Sequence, residues 1–350
     1  MDIQLSAQQQ AVVDCNEPRI VVKACPGSGK TFSVAARMAR LLRENNLSRH
    51  QGIAAISFTN TACDVIKKEL KETFGYPNVS YPSFIGTIDS FINTYIFLPY
   101  AHLVMGCDCR PEIVGTEFNK WFDYDPTQTR YIRGKHGEKI ITSRDANYYF
   151  DLISFGLNDQ LLRLAPYHAY HFGKADWENP NKKDGSPKKI ISELKEMKWK
   201  HFNAGKVNQA DAIYFTFRIL DKYPSIAQNI VRRFPILIID EAQDTTELQM
   251  AIIDKLSQCG AESIMLIGDP DQAIFEWNTA NPHLFMEKYN NPNWHSLDLS
   301  ENRRSSEKIC QLANHFSGNT MISIANDKDC AENPCLKGHL STSESVNQIT

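Results

Sequence analysis

The chain has 350 residues, a formal net charge of −3 at pH 7, and 42% hydrophobic residues. This length exceeds one ordinary domain, and the apolar content can supply each of two or three modules with a core. The charge balance excludes a strongly basic protein overall, although a basic groove can coexist with an acidic remainder.

No targeting or membrane segment is evident in the sequence. The amino terminus MDIQLSAQQQ lacks a basic and an apolar region, and no apolar stretch approaches the roughly 20 residues of a spanning helix. We therefore expect a soluble, cytoplasmic protein without membrane contact. Nine scattered cysteines favour reduced thiols over disulfides. Cys330, Cys335 and His339 are a candidate metal cluster, but zinc sites need four ligands and tighter spacing, which favours ordinary thiols.

Two strand-helix units open the chain. Ile20 to Lys23 form a short, mainly β-branched run before a Gly/Pro turn, and TFSVAARMARLLREN has apolar residues at helical spacing. GIAAISF predicts a second strand, and NTACDVIKKELKETF predicts an amphipathic helix. Two such units in succession predict a parallel α/β domain.

The pattern changes after about Tyr95 and returns near Phe234. Residues 98–207 are richer in Tyr, Trp, Asn and Lys, and TRYIRGKHGEKIITS predicts a hairpin about His136-Gly137. Residues 181–206 are the most basic stretch, and a solvated face and a nucleic-acid contact are equally open interpretations. FPILIID, ELQMAIIDKLSQ and ESIMLIGD then predict strand, helix and strand. A long insertion within one α/β domain explains this order with the fewest assumptions.

The segment ACPGSGKT matches a phosphate-binding loop, except that Ala24 occupies the first glycine position. Gly27 and Gly29 let backbone N–H groups turn toward phosphate oxygens, and the helix N-terminus adds its positive dipole end. Lys30 would reach the β- and γ-phosphates, and the Thr31 hydroxyl would bind Mg²⁺. Sequence, spacing and context disfavour a chance Gly-rich turn. The predicted nucleotide-binding residues of the loop are Ala24, Cys25, Pro26, Gly27, Ser28, Gly29, Lys30 and Thr31.

Residues 236–244, ILIIDEAQD, place three acids and an amide after a buried strand. They are either a solvated strand end or part of a site, and the phosphate loop favours a site because Mg²⁺ needs a second ligand on a neighbouring strand. Asp240 is the predicted magnesium ligand. Glu241, beside the metal but not on it, is the predicted general base for the attacking water.

In order, the segments resemble motifs of the UvrD/Rep/PcrA class of superfamily 1 DNA helicases. LSAQQQAVV resembles the Q motif, with Gln9 at the adenine-reading position, ACPGSGKT resembles motif I, and IIDEAQD resembles motif II. ISFTNTACDVI, GTIDSF, IGDPDQAIFEW and LSENRRSSEKI resemble motifs Ia, Ib, III and IV, and QAD at Asp211 resembles an acidic segment before motif II. Chance does not produce so many motifs in the right order over nearly the whole chain.

The resemblance implies roles for further residues. Gln243 and Gln272 would sense the γ-phosphate, and Arg304 would be an arginine finger that neutralises charge on the transferring phosphoryl group. Single-stranded DNA, or its junction with duplex, would lie against Phe58, Thr59, Asn60, Thr87, Phe275 and Trp277. Aromatic faces bind unpaired bases of any sequence, although a core position is the alternative for Trp277.

The chain departs from the resembled pattern at three positions. Arg303 stands where the family has an adenine-stacking Tyr, and a guanidinium plane can still stack. Asn278 replaces a common Arg, which weakens one expected DNA contact. Asp89 replaces a frequent His and would repel a phosphate that it faced. Motifs V and VI do not follow, so the chain is a fragment, a split subunit or a short relative, and we expect weak ATP hydrolysis from it alone.

These observations predict an α/β P-loop NTPase of RecA-like type, with a parallel sheet flanked by helices and a mostly helical inserted subdomain. Residues 1–97 and 208–285 would form the first RecA-like domain, residues 98–207 the accessory subdomain, and residues 286–350 the beginning of a second RecA-like domain. The predicted function is an ATP- and Mg²⁺-dependent DNA helicase or translocase on single-stranded DNA, for which the resemblance implies 3′-to-5′ movement.

Two alternatives remain for the function. One is an ATP- and DNA-sensing regulatory subunit of a partner such as a nuclease, for instance in an antiphage system resembling Gabija. The other is a metabolic kinase that uses the same phosphate loop. The response of ATP hydrolysis to DNA separates these classes.

Overall fold

A computed structural model of the protein describes residues 4–44, 46–79, 81–114, 153–163, 195, 198–273, 281–317, 320–325, 336–337 and 348–349. Within these ranges, no helix combines the length and apolarity needed to cross a membrane. Several predictions lie outside the described residues: the hairpin about His136-Gly137, most of the basic stretch 181–206, Phe275, Trp277, Asn278, Cys330, Cys335 and His339.

A six-stranded parallel sheet forms the centre of the fold. Its strands are β1 (Arg19–Ala24), β2 (Ile53–Ser57), β3 (Phe84–Thr87), β4 (Ile236–Ile239), β5 (Ser263–Gly268) and β6 (His295–Leu299). Their order across the sheet is β6-β1-β5-β4-β2-β3, and each neighbouring pair is parallel. β4 and β5, which follow the insertion in the sequence, lie between β1 and β2 in the sheet. The chain therefore returns after the insertion to the sheet that the first two strand-helix units began.

Helices cover both faces of this sheet. The helices of the described residues are α1 (Ala7–Asp14), α2 (Lys30–Glu44), α3 (Asn60–Glu72), α4 (Ile88–Ile92), α5 (Leu98–Tyr100), α6 (His102–Met105), α7 (Gln209–Lys222), α8 (Pro224–Arg233), α9 (Glu247–Gln258), α10 (Pro282–Tyr289) and α11 (Glu307–Asn314). A π-helical turn, Asn93–Phe97, follows α4, and residues 198–203 are also helical.

Side chains that alternate along each strand supply two cores. In β1, Ile20 and Val22 contact the core that α2 and α3 cover, whereas Val21 contacts the core that α4, α7 and α9 cover. This alternation follows from the two-residue period of a strand, and burial on both faces explains the nearly continuous apolar runs of the central strands. The predicted α/β P-loop fold with a parallel sheet flanked by helices is confirmed.

Polar caps fix where several helices begin. Ser6 and Gln9 form a reciprocal capping box at the start of α1, as do Asn208 and Asp211 at α7. The hydroxyl of Thr59 accepts a hydrogen bond from the backbone N–H of Ala62 at the start of α3. Such caps satisfy N–H groups that have no partner within the helix. The helices α1, α3 and α7 therefore begin at defined residues.

The two ends of the insertion lie side by side. Short strand Glu112–Ile113 pairs in parallel with Lys206–Val207, and within the insertion Ile153–Phe155 pairs antiparallel with Leu161–Arg163. Lys198, which belongs to the basic stretch, is fully buried in an ion pair with Asp211, whose carboxylate oxygen lies 2.9 Å from its ammonium. This lysine is therefore a core residue and does not contact DNA.

The sheet extends past the domain boundary that the sequence predicted at residue 285. β6 pairs with β1 from Ile20↔His295 to Ala24↔Leu299, so it belongs to the same sheet as the phosphate loop strand. Its sequence, HSLDL, has mostly exposed positions because β6 is an edge strand. An edge strand lacks the continuous apolar run of a central strand, which explains why no strand signal is visible in this part of the sequence.

Candidate active site

The candidate site residues gather at the carboxyl edge of the sheet. The phosphate loop follows β1, the DEAQD segment follows β4, and Asp269 follows β5. These three strands are neighbours in the order β1-β5-β4 and run parallel, so their carboxyl ends meet at one edge. Ligands of open α/β sheets bind at this edge.

The phosphate loop has the backbone that its glycines predict. Gly27 and Gly29 have φ of 70° and 82°, in the left-handed region that favours glycine. The Ser28 hydroxyl donates to the carbonyl oxygen of Cys25 at 2.7 Å and closes the loop. α2 begins at Lys30, so Lys30 and Thr31 lie in its first turn. The loop thus points the N-terminus of a 15-residue helix at its own centre.

Cys25 anchors the back of the loop. Its thiol is buried against Cys310 and Met321, and its backbone N–H donates to the carbonyl oxygen of Leu299 at 2.8 Å. Burial, assisted by the charge of Asp269, raises the pKa of the Cys25 thiol to about 11. The thiol is therefore neutral near pH 7 and acts as a packing group.

Gln9 contacts the loop directly. Its side chain is 3% exposed, its Nε2 donates to the carbonyl oxygen of Ser28 at 3.2 Å, and its Oε1 accepts from the backbone N–H of Ser6 at 3.2 Å. A β-carbon at Gly29 would lie only 2.7 Å from this Nε2. Gln9 thus positions α1 against the loop, and its contact with adenine stays a prediction.

Lys30 is the centre of a hydrogen-bonded cluster that contains four predicted catalytic residues. Its Nζ donates to Glu241 Oε2 at 2.9 Å and to Gln272 Oε1 at 3.5 Å. Gln243 Nε2 donates to the same Glu241 oxygen at 2.9 Å. Glu241 has φ 55° and ψ 40°, a left-handed conformation that is uncommon for a residue with a side chain. The structure brings these four residues together, while their catalytic roles stay predictions.

Asp240 is a fully buried carboxylate at the end of β4. One of its oxygens accepts from the backbone N–H of Glu241 at 3.0 Å, and Oδ2 has no hydrogen-bond partner. Burial, together with the Glu241 charge and against the effect of Lys30, raises the pKa of Asp240 to about 7. A cation beside Oδ2 would satisfy this oxygen and favour the charged form.

Two further buried acids lie near this cluster. Asp244 and Asp269 each have one carboxylate oxygen without a hydrogen-bond partner. Burial raises the pKa of each to about 6, with Glu241 adding to the rise and Lys30 opposing it. The site therefore concentrates acceptor oxygens whose charged forms need a cation.

The donor set fits the predicted magnesium ion. Among the described residues, no group of three or more His, Cys, Asp or Glu side chains could hold a metal ion. Mg²⁺ is usually held by one or two protein oxygens and completes its octahedron with water and phosphate oxygens. Thr31 in the first turn of α2 and the unpaired oxygen of Asp240 suit that pattern, and their coordination of the ion stays a prediction.

Sequence reasoning missed residues that hold this cluster in place. The backbone N–H of Asp269 donates to Gln243 Oε1 at 3.0 Å, and Asn302 Nδ2 donates to the carbonyl oxygen of Pro26 at 2.8 Å. Asp269 directly follows a buried strand at the functional edge, a position that could have identified it. Asn302 lies within LSENRRSSEKI, the segment that resembles motif IV, but its contact with Pro26 joins residues far apart in the sequence and has no local signal.

Arg303 and Arg304 lie beside the phosphate loop. The backbone N–H of Arg303 donates to the carbonyl oxygen of Gly27 at 3.0 Å, and its side chain is 3.6 Å from a carboxylate oxygen of Glu301. A β-carbon at Gly27 would lie 2.9 Å from the β-carbon of Arg304. Both arginine side chains are exposed next to the nucleotide loop, where adenine and phosphate contacts are predicted.

The described DNA candidates lie at the carboxyl ends of β2 and β3, which pair in register through Ser57↔Thr87. Phe58 is half-buried, whereas Thr59 and Asn60 are exposed at the start of α3. The Thr87 hydroxyl accepts from the backbone N–H of Ser90 at 3.2 Å, which leaves its own hydrogen available to donate.

Asp89 lies in the first turn of α4, directly after Thr87 and Ile88. Burial raises the pKa of the Asp89 carboxyl, and its effect on a nearby DNA phosphate stays a prediction. The four described DNA candidates share one sheet edge with the phosphate loop, and their contacts with DNA stay predictions.

Comparison with known proteins identifies the family of the chain. The family model for the UvrD/REP helicase N-terminal domain matches residues 5–293. The chain is 24% identical over 321 residues to the ATP-dependent DNA helicase PcrA of Bacillus subtilis strain 168, covering 90% of this chain and 39% of that protein. It is 26% identical over 314 residues to DNA helicase II of Escherichia coli strain K12, covering 89% and 40%.

A shorter match covers a different kind of protein. Over 124 residues, the chain is 30% identical to an ATP-dependent helicase/nuclease subunit of Natranaerobius thermophilus, covering 33% of this chain and 10% of that protein. The chain spans about two fifths of the length of the two helicases. Because the family model covers most of the chain, the protein belongs to the UvrD/REP helicase N-terminal domain family.

Proposed function

We propose that this chain binds ATP and Mg²⁺ and forms the nucleotide-binding part of a DNA helicase or translocase that moves along single-stranded DNA. The observation that carries the proposal is the contact between Lys30 Nζ and Glu241 Oε2 at 2.9 Å, beside the unpaired buried oxygen of Asp240. A phosphate-loop lysine, a metal-binding acid and a second acid that can act as base are the groups that ATP hydrolysis requires.

The cluster has a simple response to nucleotide. The backbone N–H groups of the loop and the ammonium of Lys30 bind the phosphates, so Lys30 exchanges its contact with Glu241 for phosphate oxygens. Glu241 keeps the hydrogen bond from Gln243 and is then available to accept a proton from the attacking water. Asp240 and Thr31 would hold Mg²⁺, which when bound would supply positive charge beside the phosphates. Binding of ATP thus frees the general base to act on the attacking water.

Gln272 connects the phosphate loop to the segment that follows β5. Gln272 accepts from Lys30 at 3.5 Å, and its backbone N–H donates to the carbonyl oxygen of Asp269. When Lys30 turns toward phosphate, the turn Pro270–Gln272 loses that contact and can shift. Ala273 follows this turn, and the next residues in the sequence, 274–280, include the predicted base-stacking residues Phe275 and Trp277.

For the DNA path we propose Phe58, Thr59, Asn60 and Thr87 along one side, continued by Phe275 and Trp277. Residues 1–97 and 208–285, extended to include β6, would form the first motor domain, with residues 98–207 as accessory subdomain. The part after β6 would begin a second motor domain, which closes over ATP. Movement in the 3′-to-5′ direction is proposed from the helicase resemblance alone.

A second candidate function is supported by the match to a helicase/nuclease subunit. In that case the chain would bind ATP and DNA in order to regulate a partner nuclease, without unwinding DNA itself. The same nucleotide site serves both functions, so the response to DNA and the presence of strand separation distinguish them.

The test is ATP hydrolysis by the 350-residue protein with and without single-stranded DNA. We expect DNA to raise the rate, and we expect Lys30→Ala and Glu241→Gln to abolish most of it. Lys23→Ala is a matched control, because Lys23 is another partly buried lysine of this region whose ammonium lies 3.9 Å from an Asp298 carboxylate oxygen instead. We expect Lys23→Ala to retain wild-type hydrolysis.

Each result has a defined consequence. Hydrolysis that does not respond to DNA contradicts the translocase proposal. Full turnover by Glu241→Gln contradicts its assignment as the base, and ATP binding by Lys30→Ala with wild-type affinity contradicts the nucleotide site itself. DNA-stimulated hydrolysis without unwinding or translocation supports the regulatory function.

A further inference from the structure

The chain from Leu299, the last residue of β6, to Arg303 crosses the phosphate loop and is hydrogen-bonded to it. The carbonyl oxygen of Leu299 accepts from the N–H of Cys25 at 2.8 Å, and the N–H of Arg303 donates to the carbonyl oxygen of Gly27 at 3.0 Å. Asn302 lies between these two contacts and is 3% exposed. The segment therefore rests on the loop along its length.

Asn302 uses both ends of its side-chain amide. Nδ2 donates to the carbonyl oxygen of Pro26 at 2.8 Å, while Oδ1 accepts from the backbone N–H groups of Arg304 and Ser305, each at 2.8 Å. The first contact is to the phosphate loop, and the other two shape the turn that carries the arginines. No other side chain of this size supplies a donor and an acceptor in this way, since Asp lacks the donor.

Close packing makes the connection rigid. A β-carbon at Gly27 would lie 2.9 Å from Asn302 Oδ1 and 2.9 Å from the β-carbon of Arg304. The backbone of Asn302 is also fixed, because its carbonyl oxygen accepts from the N–H of Ile324 at 2.9 Å. Gly27, Asn302 and Arg304 are thus packed too closely for any of the three to move independently of the others.

We propose that Asn302 is a positioning residue that sets Arg303 and Arg304 relative to the phosphate loop, so that the arginine pair follows the loop when nucleotide binds. This inference rests on the proposed function, because it requires that the loop binds a nucleotide. It assigns to Asn302 no contact with the nucleotide itself. Its effect on binding and hydrolysis passes through the arginines.

Two substitutions separate the contacts of Asn302. Asn302→Asp keeps an oxygen that accepts from Arg304 and Ser305, but it removes the donor and places a carboxylate against the Pro26 carbonyl oxygen. Asn302→Ala removes both contacts. Asn314→Asp is the matched control, because Asn314 also donates to a carbonyl oxygen and accepts from an N–H, both of Met321, outside the phosphate loop.

The measurement is the Kd of a fluorescent, non-hydrolysable ATP analogue with Mg²⁺, together with kcat and KM for ATP. We expect Asn302→Asp and Asn302→Ala to raise Kd and KM about tenfold, since each loses a buried hydrogen bond to the loop. We expect Asn314→Asp to leave both within about twofold. If only the hydrogen bonds from the N–H groups of Arg304 and Ser305 affected ATP binding, Asn302→Asp would have the Kd and KM of the wild type, and the proposal would fail.

A double-mutant cycle with Arg304→Ala tests whether Asn302 acts through the arginine. We expect the effect of Asn302→Asp to shrink to about twofold or less in the Arg304→Ala background. Additive effects on Kd and kcat, with a lowered Tm, mean that Asn302 only stabilises the fold and overturn the proposal. Should Asn302→Asp fail to fold, Asn302→Ser takes its place, because its short hydroxyl can accept within the turn but does not reach Pro26.

These outcomes are distinct from failure of the proposed function. Loss of ATP binding in Lys30→Ala, combined with Asn302 variants that match Asn314→Asp, refutes only the role of Asn302. Wild-type ATP binding by Lys30→Ala refutes the nucleotide site on which both proposals depend.

Discussion

Arg37 is a buried residue whose removal is expected to loosen the nucleotide loop from a distance. Its guanidinium is on α2 and is 1% exposed. Nη1 lies within hydrogen-bond distance of the carbonyl oxygens of Val12, Val13 and Cys15, at 3.0, 3.3 and 2.6 Å. These carbonyls end α1 and have no partners within the helix. Arg37 thus holds α1 in place, and α1 carries Gln9 to the phosphate loop.

The expected cost of Arg37→Met follows from these contacts. Methionine fills much of the volume of the arginine stem but leaves the α1 carbonyls without a donor. A buried polar group without its partner costs about 1–3 kcal/mol, and hydrogen bonds to a charged donor fall at the upper end. Because one Nη1 serves all three oxygens, their effects are not additive, and we expect the free energy of unfolding to fall by about 3 kcal/mol.

Arg40 offers a matched control on the same helix. It pairs with Glu44 at 2.7 Å, and with Asn16 at 2.9 Å, near the surface. An exposed ion pair contributes little, so Arg40→Met is expected to lower the free energy of unfolding by less than about 1 kcal/mol. Both variants remove one positive charge from α2, so the comparison isolates the buried contacts.

Urea unfolding followed by circular dichroism measures both variants, and nucleotide titration of the folded proteins follows. We expect Arg37→Met also to weaken ATP binding, because Gln9 loses its fixed position beside Ser28. Equal stabilities for Arg37→Met and Arg40→Met would show that the α1 carbonyls find other partners and would refute the argument. Lower stability with unchanged ATP affinity would show that α1 does not hold the loop.

Three further predictions concern stability and its link to the site. In Gly268→Ala the new β-carbon would lie 2.5 Å from Gln243 Oε1, so the Gln243 side chain must leave the N–H of Asp269. We expect the free energy of unfolding, measured with urea, to fall by about 1–3 kcal/mol. We also expect kcat to fall more than the affinity for ATP. Asp211→Asn leaves the buried ammonium of Lys198 without its counter-charge. We expect this substitution to lower the free energy of unfolding by about 3–5 kcal/mol. A loss below about 1 kcal/mol would contradict a buried charged pair. Burial, with nearby lysine charges, lowers the pKa of His201 from 6.5 to about 4, so the folded state disfavours its protonation. Stability should therefore be complete above pH 6.5 and decline as the pH falls toward 4, and His201→Gln should remove part of that decline.

The sequence predicted most of the sheet because central strands carry their own signal. Apolar runs identified the strands from Arg19, Ile53, Ile236 and Ser263, and periodicity identified α2, α3 and α9. β6 was missed because an edge strand with exposed His295, Ser296 and Asp298 has no such run. Pairing with β1, a non-local contact, makes it a strand.

For the site, too, the sequence predicted the residues that have a local signature and missed those that depend on non-local contacts. The phosphate loop and the acids after β4 have local signatures, and the structure brings Lys30, Glu241, Gln243 and Gln272 into one cluster. The supporting contacts had no such signature. Asn302 reaches Pro26 and Arg37 reaches the end of α1 across long sequence separations, and hydrogen bonds of that kind depend on the fold being formed already.

Several energetically unfavourable features lie together at the carboxyl ends of β4 and β5. Asp240, Asp244 and Asp269 are buried with an unpaired oxygen each, and Glu241 has a left-handed backbone. Each of these features costs free energy in the isolated fold. A bound cation and phosphates would pair the acids and take Lys30, so the same atoms that destabilise the free protein favour the complex. The strained residues follow the two central strands β4 and β5, where the surrounding sheet is best able to hold them. Real proteins depart from locally favourable structure mainly at functional sites, so this distribution supports a ligand site at the carboxyl ends of β4 and β5.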